Sequence, residues 1–318
     1  MASQLTEQTC FFPYSLNMSK RKHSPLAPRL ENRHHSGMKP ARLTKRSRRF
    51  RHLTLISAWG LCSFVLFNQP LSQAVPKTHS HNDYEHDRPL LDALDHGFIS
   101  VEADVFLIDG KLLVAHNRPD VDAEKTLERL YLEPLAERAR SNNGHIYSNY
   151  DKPVLLLIDI KSKALPTYQA IHETLATYQD VFTQFDDMGN THPKAVTAVI
   201  SGNRPRDYMS GQKKRWAGYD GRPVDLREPF SASFIPLVSD SWSNHIKWRG
   251  KGTIASADLV KIRSLISESH RRGALFRFWA SPDTAPVWNL LYNEGADLIN
   301  TDDLSGLKTF LANKAKPE

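Results

Sequence analysis

The sequence predicts a (β/α)₈ TIM barrel, a single domain that follows an N-terminal segment of different character. Short apolar and β-branched runs alternate with longer stretches of helical periodicity. Eight such runs count as candidate strands, and the helices between them favour a closed barrel over an open doubly wound sheet. The stretch from Val75 to Glu318 has 244 residues, close to the ~250 of a typical barrel.

Val75–His79 is the first candidate strand. Pro89–His96 reads as a helix, with Gly97 as its stop. Ile99–Leu107 and Lys111–Ala115 flank Asp109-Gly110, a pair suited to a hairpin turn because both residues tolerate positive φ. Glu124–Arg140 has helical spacing through Leu127, Leu130, Leu135 and Ala139. Pro153–Ile160 is a near-continuous apolar run, as a strand buried on both faces must be. Tyr168–Phe185 reads as helix and Ala195–Ile200 as strand. Gly202–Asn244 has weak periodicity; its candidate strands, Trp216–Tyr219 and Ser233–Val238, are linked by long loops. Ala255–Arg272 is a helix stopped by Gly273. Ala274–Ala280, Ala285–Glu294, Asp297–Asn300 and Ser305–Ala312 complete a strand–helix–strand–helix ending.

The formal charge of +7 and a pI near 9.3 invite a nucleic-acid reading. The distribution of charge argues against it. Residues 1–74 hold 12 of the 42 Lys and Arg but only Glu7 and Glu31 of the 35 acids, so the rest of the chain is net −3. A mildly acidic body offers little for counterion release, and no nucleic-acid partner is expected. Within the segment, basic Arg42–Arg51 precedes the uncharged Leu53–Phe67, and Ser72 and Ala74 stand where a signal cleavage site wants small residues. This succession predicts an exported protein, periplasmic or secreted, with Met18 or Met38 as the true start. The apolar run of 15 residues is short for a membrane span of ~20, so an uncleaved membrane anchor is the alternative. Cys10 and Cys62 both precede the expected cleavage. The mature chain would then have no disulfide, thiolate nucleophile or Cys metal ligand.

Candidate chemistry lies at strand ends. Glu102 and Asp104 are two residues apart on Ile99–Val105, so both project from one face. Paired carboxylates repel unless a proton or cation lies between them, and a hard divalent ion with oxygen ligands suits them. A polar strand end facing solvent is the bland alternative. The run from Thr78 to His86 contains His79, His81, Asn82, Asp83, Glu85 and His86 and follows the first strand, where a barrel carries its catalytic loops. A zinc site is a second reading of its histidines. His116 ends the returning arm of the hairpin, which brings it toward Glu102 and Asp104. Asp159 and Lys161 close an apolar strand; an ionised Asp there is costly to bury without a partner, and a metal ion or an ordinary ion pair supplies one.

Taken in chain order, His81-Asn82, Glu102-x-Asp104, His116 and Asp159-x-Lys161 resemble the phosphodiesterase superfamily of phosphatidylinositol-specific phospholipase C and glycerophosphodiester phosphodiesterase. Phe278-Trp279 and the ending from Gly295 to Asp302 agree with that resemblance. The runs His79–Tyr84 and Val101–Asp104 are most similar to the branch named for altered inheritance of mitochondria protein 6. The resemblance implies His81 and His116 as catalytic histidines, with His79 as a rival for the first. It implies Asn82, Glu102, Asp104 and Asp159 as ligands of Ca²⁺ or Mg²⁺. Lys161, Arg204 and Trp279 are the expected substrate contacts. Two departures stand out: Asn82 where glycerophosphodiesterases have Arg, and Asp159 where they usually have Glu. The implied activity is metal-dependent hydrolysis or cyclising cleavage of a small-molecule or lipid phosphodiester, compatible with transient contact with a membrane surface. The alternative is a catalytically inactive exported barrel that binds a phosphorylated or sugar ligand.

Overall fold

Eight parallel strands close on themselves in the computed structural model, which describes residues 72–227 and 229–315. In chain order the elements are β1 (Thr78–Ser80), α1 (Leu91–Asp95), β2 (Ser100–Ile108), β3 (Lys111–Val114), α2 (Glu133–Ser141), β4 (Val154–Ile160), α3 (Ala164–Ala176), β5 (Gln184–Asp186), β6 (Thr191–His192), β7 (Val196–Gly202), α4 (Arg206–Ser210), β8 (Lys214–Arg215), β9 (Ala217–Gly221), β10 (Leu237–Ser241), α5 (Trp242–His245), α6 (Ser256–Arg271), β11 (Leu275–Trp279), α7 (Ala285–Glu294), β12 (Leu298–Thr301) and α8 (Leu304–Lys314). The ring runs β1–β2–β4–β7–β9–β10–β11–β12 and returns to β1. β3 pairs antiparallel with β2 through the Asp109-Gly110 turn, and both turn residues have positive φ. The TIM barrel expected from the sequence is therefore the fold.

Burial explains why these segments take these positions. The apolar residues of β4, Leu156, Leu157 and Ile158, are all at most 1% exposed, because helices cover the outside of a parallel sheet and side chains fill its inside. α3 packs Tyr168, Ile171 and Leu175 inward, and α7 does the same with Val287, Trp288 and Leu291, each set lying on one helical face. Between β9 and β10 the crossover has a 3₁₀ turn at Pro223–Arg227 among its described residues, which matches the weak periodicity of that region.

Several boundaries differ from the sequence expectation, each for a local reason. Val75 makes a single bridge to Phe98, and β1 proper begins at Thr78. The helix expected over Glu124–Arg140 is a π-helical turn at Glu128–Leu132 followed by α2. Pro134, in the first turn of α2, has no N–H to continue a ladder from the preceding turn. The helix expected over Tyr168–Phe185 ends at Ala176. Beyond it the β-branched and aromatic run takes extended forms: Phe182 bridges Val196, and Phe185 joins the small antiparallel sheet β6–β5–β8. β10 starts at Leu237 rather than Ser233, because Phe234 and Ile235 donate back to the Ser231 carbonyl in a turn and Pro236 lacks a donor for the ladder.

The N-terminal segment up to residue 71, with Leu53–Phe67, Cys10, Cys62, Met18 and Met38, lies outside the described residues. Among the described residues no helix is long and apolar enough to cross a membrane. Ser72–Val75 are bonded into the body. Ser72 Oγ donates to the Asp95 carbonyl (2.9 Å), Ala74 N–H to Asn149 Oδ1 (2.8 Å) and Val75 N–H to the Gly97 carbonyl (2.7 Å). Gly97 has φ +86°, and a Cβ there would overlap the Gln73 carbonyl oxygen. Gly97→Ala is therefore expected to lower stability by roughly 1–3 kcal/mol in urea unfolding; a change within about 0.5 kcal/mol would show that this N-terminal contact is not made in solution.

Candidate active site

Strand register assembles the acidic cluster. Asp104 on β2 lies opposite Asp159 on β4, and Asp159 opposite Ser201 on β7. The two-residue period of β2 puts Glu102 on the same face as Asp104. Ligand oxygens of Glu102, Asp104 and Asp159 lie within 4.8 Å of one another. Glu102 and Asp159 line a cavity of about 450 Å³ at the C-terminal end of the barrel, together with His81, Asn82, His116, Lys161, Asn203, Arg222, Arg277 and Trp279, while Asp104 is buried beside them. A larger cavity of about 750 Å³, walled by Ile99, Leu155, Phe185, Leu275 and Leu298, opens at the opposite end and shares none of these groups.

Beneath the cluster lies a buried, self-neutralising group. Arg277 on β11 donates Nη1 to Glu102 Oε2 (2.9 Å) and to Asn300 Oδ1 (3.2 Å), and the same nitrogen lies against His79 Nε2. His79 also meets Ser100 Oγ through Nδ1 (2.7 Å) and Glu102 Oε2 through Nε2 (3.1 Å). Burial, with the Arg277 charge behind it, lowers the His79 pKa to about 4. Burial works to raise the Glu102 pKa, but Arg277 and the His79 hydrogen bond outweigh it and hold the carboxyl well below the ordinary carboxylate range. His79 is wholly buried and does not line the cavity.

His81 and His116 each face a carboxylate through Nδ1. His81 Nδ1 is 2.8 Å from Asp302 Oδ1, at the end of β12. His116 Nδ1 is 3.1 Å from Asp104 Oδ2, held there by the hairpin bond from Ala115 N–H to the Asp104 carbonyl (3.1 Å). A carboxylate accepting at Nδ1 fixes the hydrogen on that nitrogen and leaves Nε2 for chemistry. Burial opposes charge on His81, but the Asp302 hydrogen bond and the field of Glu102 prevail, and its pKa is raised above 6.5. Tyr84 Oη lies 2.6 Å from Asp104 Oδ2, 2.8 Å from Asn82 Oδ1 and 3.0 Å from His116 Nδ1. It has one proton, and the shortest of these contacts directs it to the Asp104 carboxylate.

The carboxylates suit a hard cation. Asp104 Oδ1 is buried and has no hydrogen-bond partner. Burial raises the Asp104 pKa, and Glu102 adds to the rise. Burial likewise lifts Asp159 to about 6, against the pull of Lys161 and with the repulsion of Asp104 and Glu102. Lys161 Nζ lies 3.0 Å from Asp104 Oδ2 and 3.3 Å from Asp159 Oδ1, a partial answer to that negative charge. Gly202, φ +64°, comes so close that a Cβ there would overlap the Asp159 carboxylate. Glu102, Asp104 and Asp159 thus form a group that could hold a metal ion.

Of the substrate contacts expected from the sequence, Lys161 and Trp279 line the cavity. Arg204 does not: its guanidinium is turned onto the Asp220 carbonyl and lies over the Tyr219 ring, 4.9 Å from its centroid. Arg222 takes that wall instead, with Nη1 2.6 Å from Asp220 Oδ2 and 3.1 Å from Ser239 Oγ. Sequence reasoning missed Arg277, Gly202 and the partner role of Asp302. A lone arginine inside the apolar strand Leu275–Trp279 was the available signal for Arg277. Nothing local marks Asp302 as the partner of His81, 221 residues away.

Titration of the histidines by NMR tests this electrostatic arrangement. His81 should titrate above 6.5, and Asp302→Asn should bring it down; an unchanged His81 titration in that variant would discard the pairing. His79 should stay neutral until about pH 4. Because its folded pKa lies below its unfolded value, its contribution to stability is present above about pH 6.5 and is lost as pH falls toward 4.

Comparison with known proteins gives these groups a family. Residues 71–220 match the AIM6-like phosphodiesterase domain. Altered inheritance of mitochondria protein 6 of Eremothecium gossypii is 31% identical over 278 residues, covering 76% of this chain and 71% of that protein. A homolog from Arthroderma benhamiae is 28% identical over 260 residues, covering 73% and 82%. A solved glycerophosphoryl diester phosphodiesterase from Parabacteroides distasonis is similar at 12% identity, with a TM-score of 0.46 and coverage of 78% of this chain and 95% of that one. The curated relatives are named for the inheritance of mitochondria, and this overturns the exported, periplasmic or secreted protein expected from the basic, apolar and small-residue succession. Ala74, the last residue before the expected cut, is packed and hydrogen-bonded to Asn149 as part of the folded body. The chain belongs to the altered inheritance of mitochondria protein 6 family and carries its phosphodiesterase-like domain on a TIM barrel.

Proposed function

We propose that the barrel is a metal-dependent phosphodiesterase that hydrolyses or cyclises a small-molecule or lipid phosphodiester. The observation that carries this reading is the pair of imidazoles, each oriented by a carboxylate, lining one cavity with Glu102 and Asp159 of the acidic cluster. Asn82, Glu102, Asp104 and Asp159 would hold the ion, Ca²⁺ or Mg²⁺. Such an ion, when bound, neutralises charge on the phosphate oxygens and favours ionisation of the attacking hydroxyl.

The chain's own groups do the rest. His81 Nε2 accepts the proton of the attacking hydroxyl, which belongs to water or to a neighbouring position of the substrate. Asp302 stabilises the imidazolium that results. His116, kept in place by Asp104, donates a proton through Nε2 to the leaving oxygen. Lys161 and Arg222, which line the cavity, hold the phosphate oxygens, and Arg204 acts behind them by holding the Asp220 carbonyl. Trp279 forms an aromatic wall. No Ser or Cys nucleophile is required.

Two measurements test the reading. His81→Ala and His116→Ala should each lower kcat for a generic chromogenic diester by about 10²–10⁴, with no comparable loss of folding. Chelation should abolish turnover, and Ca²⁺ or Mg²⁺ should restore it. Full activity in both histidine variants would remove the acid–base assignment. Ligand binding with no turnover under any cation would favour the inactive-barrel alternative. Detection of a cyclic phosphate among the products separates cyclisation from hydrolysis.

A further inference from the structure

A second cleft adjoins the catalytic cavity and is lined by cations. Its volume is about 660 Å³, and Lys161 and Asn203 line both spaces. Arg118 and Lys163 complete its charged lining, and no Asp or Glu lines it. Lys161 is already matched to Asp104 and Asp159. Among the described residues Arg118 and Lys163 form no ion pair, although the folded body as a whole carries more acids than bases.

Chain geometry ties this cleft to the reacting centre. Arg118 follows His116 by two residues through an extended Asn117 (φ −120°, ψ 153°), which puts their Cα atoms about 7 Å apart. Lys163 follows Lys161 by two residues and precedes the first turn of α3, which contains no acid. The wall is built rather than loose: Ser162 Oγ accepts from Leu107 N–H (2.9 Å) and pairs with Thr167 Oγ1 (2.7 Å), and Asn203 Nδ2 donates to the Ser162 carbonyl (2.9 Å). Unmatched like charges facing one cleft favour an anion between them.

We propose that the Arg118–Lys163 cleft binds a second anionic group of the substrate, a phosphate carried on one arm of the diester. The substrate class is then a phosphodiester with a further phosphate, and the choice of substrate rests on the phosphodiesterase reading above. The anion site itself does not depend on turnover.

The test uses the full chain and two 4-nitrophenyl diesters, one with an ethyl arm and one with a 2-phosphoethyl arm. Wild type should prefer the phosphorylated arm in kcat/KM. Arg118→Ala and Lys163→Ala should each reduce that preference about threefold or more, and added salt should weaken it. Absence of a preference, or a preference unchanged in the double variant, would overturn the substrate role. Calorimetric titration with inorganic phosphate in the presence of EDTA, compared between wild type and the Arg118→Ala/Lys163→Ala double variant, reads the cleft independently of turnover. Weaker binding in the double variant supports the anion site; equal binding in both proteins, or none in wild type, overturns it. Should neither diester be turned over with any cation, the proposed reaction fails, and the phosphate titration still decides the cleft.

Discussion

The buried contact of Arg277 with Glu102 and His79 is the constraint on which the rest of the site depends. It joins β11, β2 and β1, and through Asn300 it reaches β12, so it spans the seam where the barrel closes. A carboxylate in that position without Arg277 would be an uncompensated buried charge, which is strongly destabilising. The partners also determine each other's ionisation. Arg277 keeps Glu102 charged, and burial beside Arg277 keeps His79 neutral. A cationic histidine would add a second positive charge below the acidic cluster and weaken its attraction for a metal cation.

Above that layer the balance is deliberately incomplete in electrostatic terms. Asp104 and Asp159 are near neighbours across adjacent strands; burial raises both pKa values, with repulsion from Glu102 added at Asp104 and from Asp104 and Glu102 at Asp159. Lys161 relieves part of the repulsion but leaves Asp104 Oδ1 unmatched. Tyr84 and His116 converge on the other Asp104 oxygen. The same carboxylate therefore serves the cation-binding cluster and the orientation of an imidazole. Gly202 completes the arrangement by letting the backbone of β7 approach Asp159 where a side chain would intrude.

Much of this was legible along the chain, for identifiable reasons. The apolar run of β4 announced a strand buried on both faces, and Asp159 at its end was conspicuous because an acid there needs a partner. Glu102 and Asp104 were readable as one face from their spacing. The hairpin turn at Asp109-Gly110 carried His116 back toward β2. Less legible was the stretch after Ala176, where helical periodicity continued into residues that the barrel recruits as extended chain. Arg204 was the expected phosphate contact after β7, yet Arg222, after the adjacent strand β9, lines the cavity. Local sequence does not say which of two nearby arginines is turned onto a backbone carbonyl. The N-terminal segment showed the reverse hazard: a basic, apolar and small-residue succession suits export by residue type alone, yet the relatives are named for the inheritance of mitochondria.

The sequence by itself determined the alternation of strands and helices, the two-residue spacing of the acids and the identity of the groups at strand ends, because those follow from periodicity and from the cost of burying charge. Only the tertiary structure decided their partners. His81 with Asp302, and Glu102 with Arg277, are joined across separations of 221 and 175 residues. Such contacts exist because barrel closure sets β1 beside β12 and turns the side chains of β2 and β11 toward one interior, and no local pattern records that meeting.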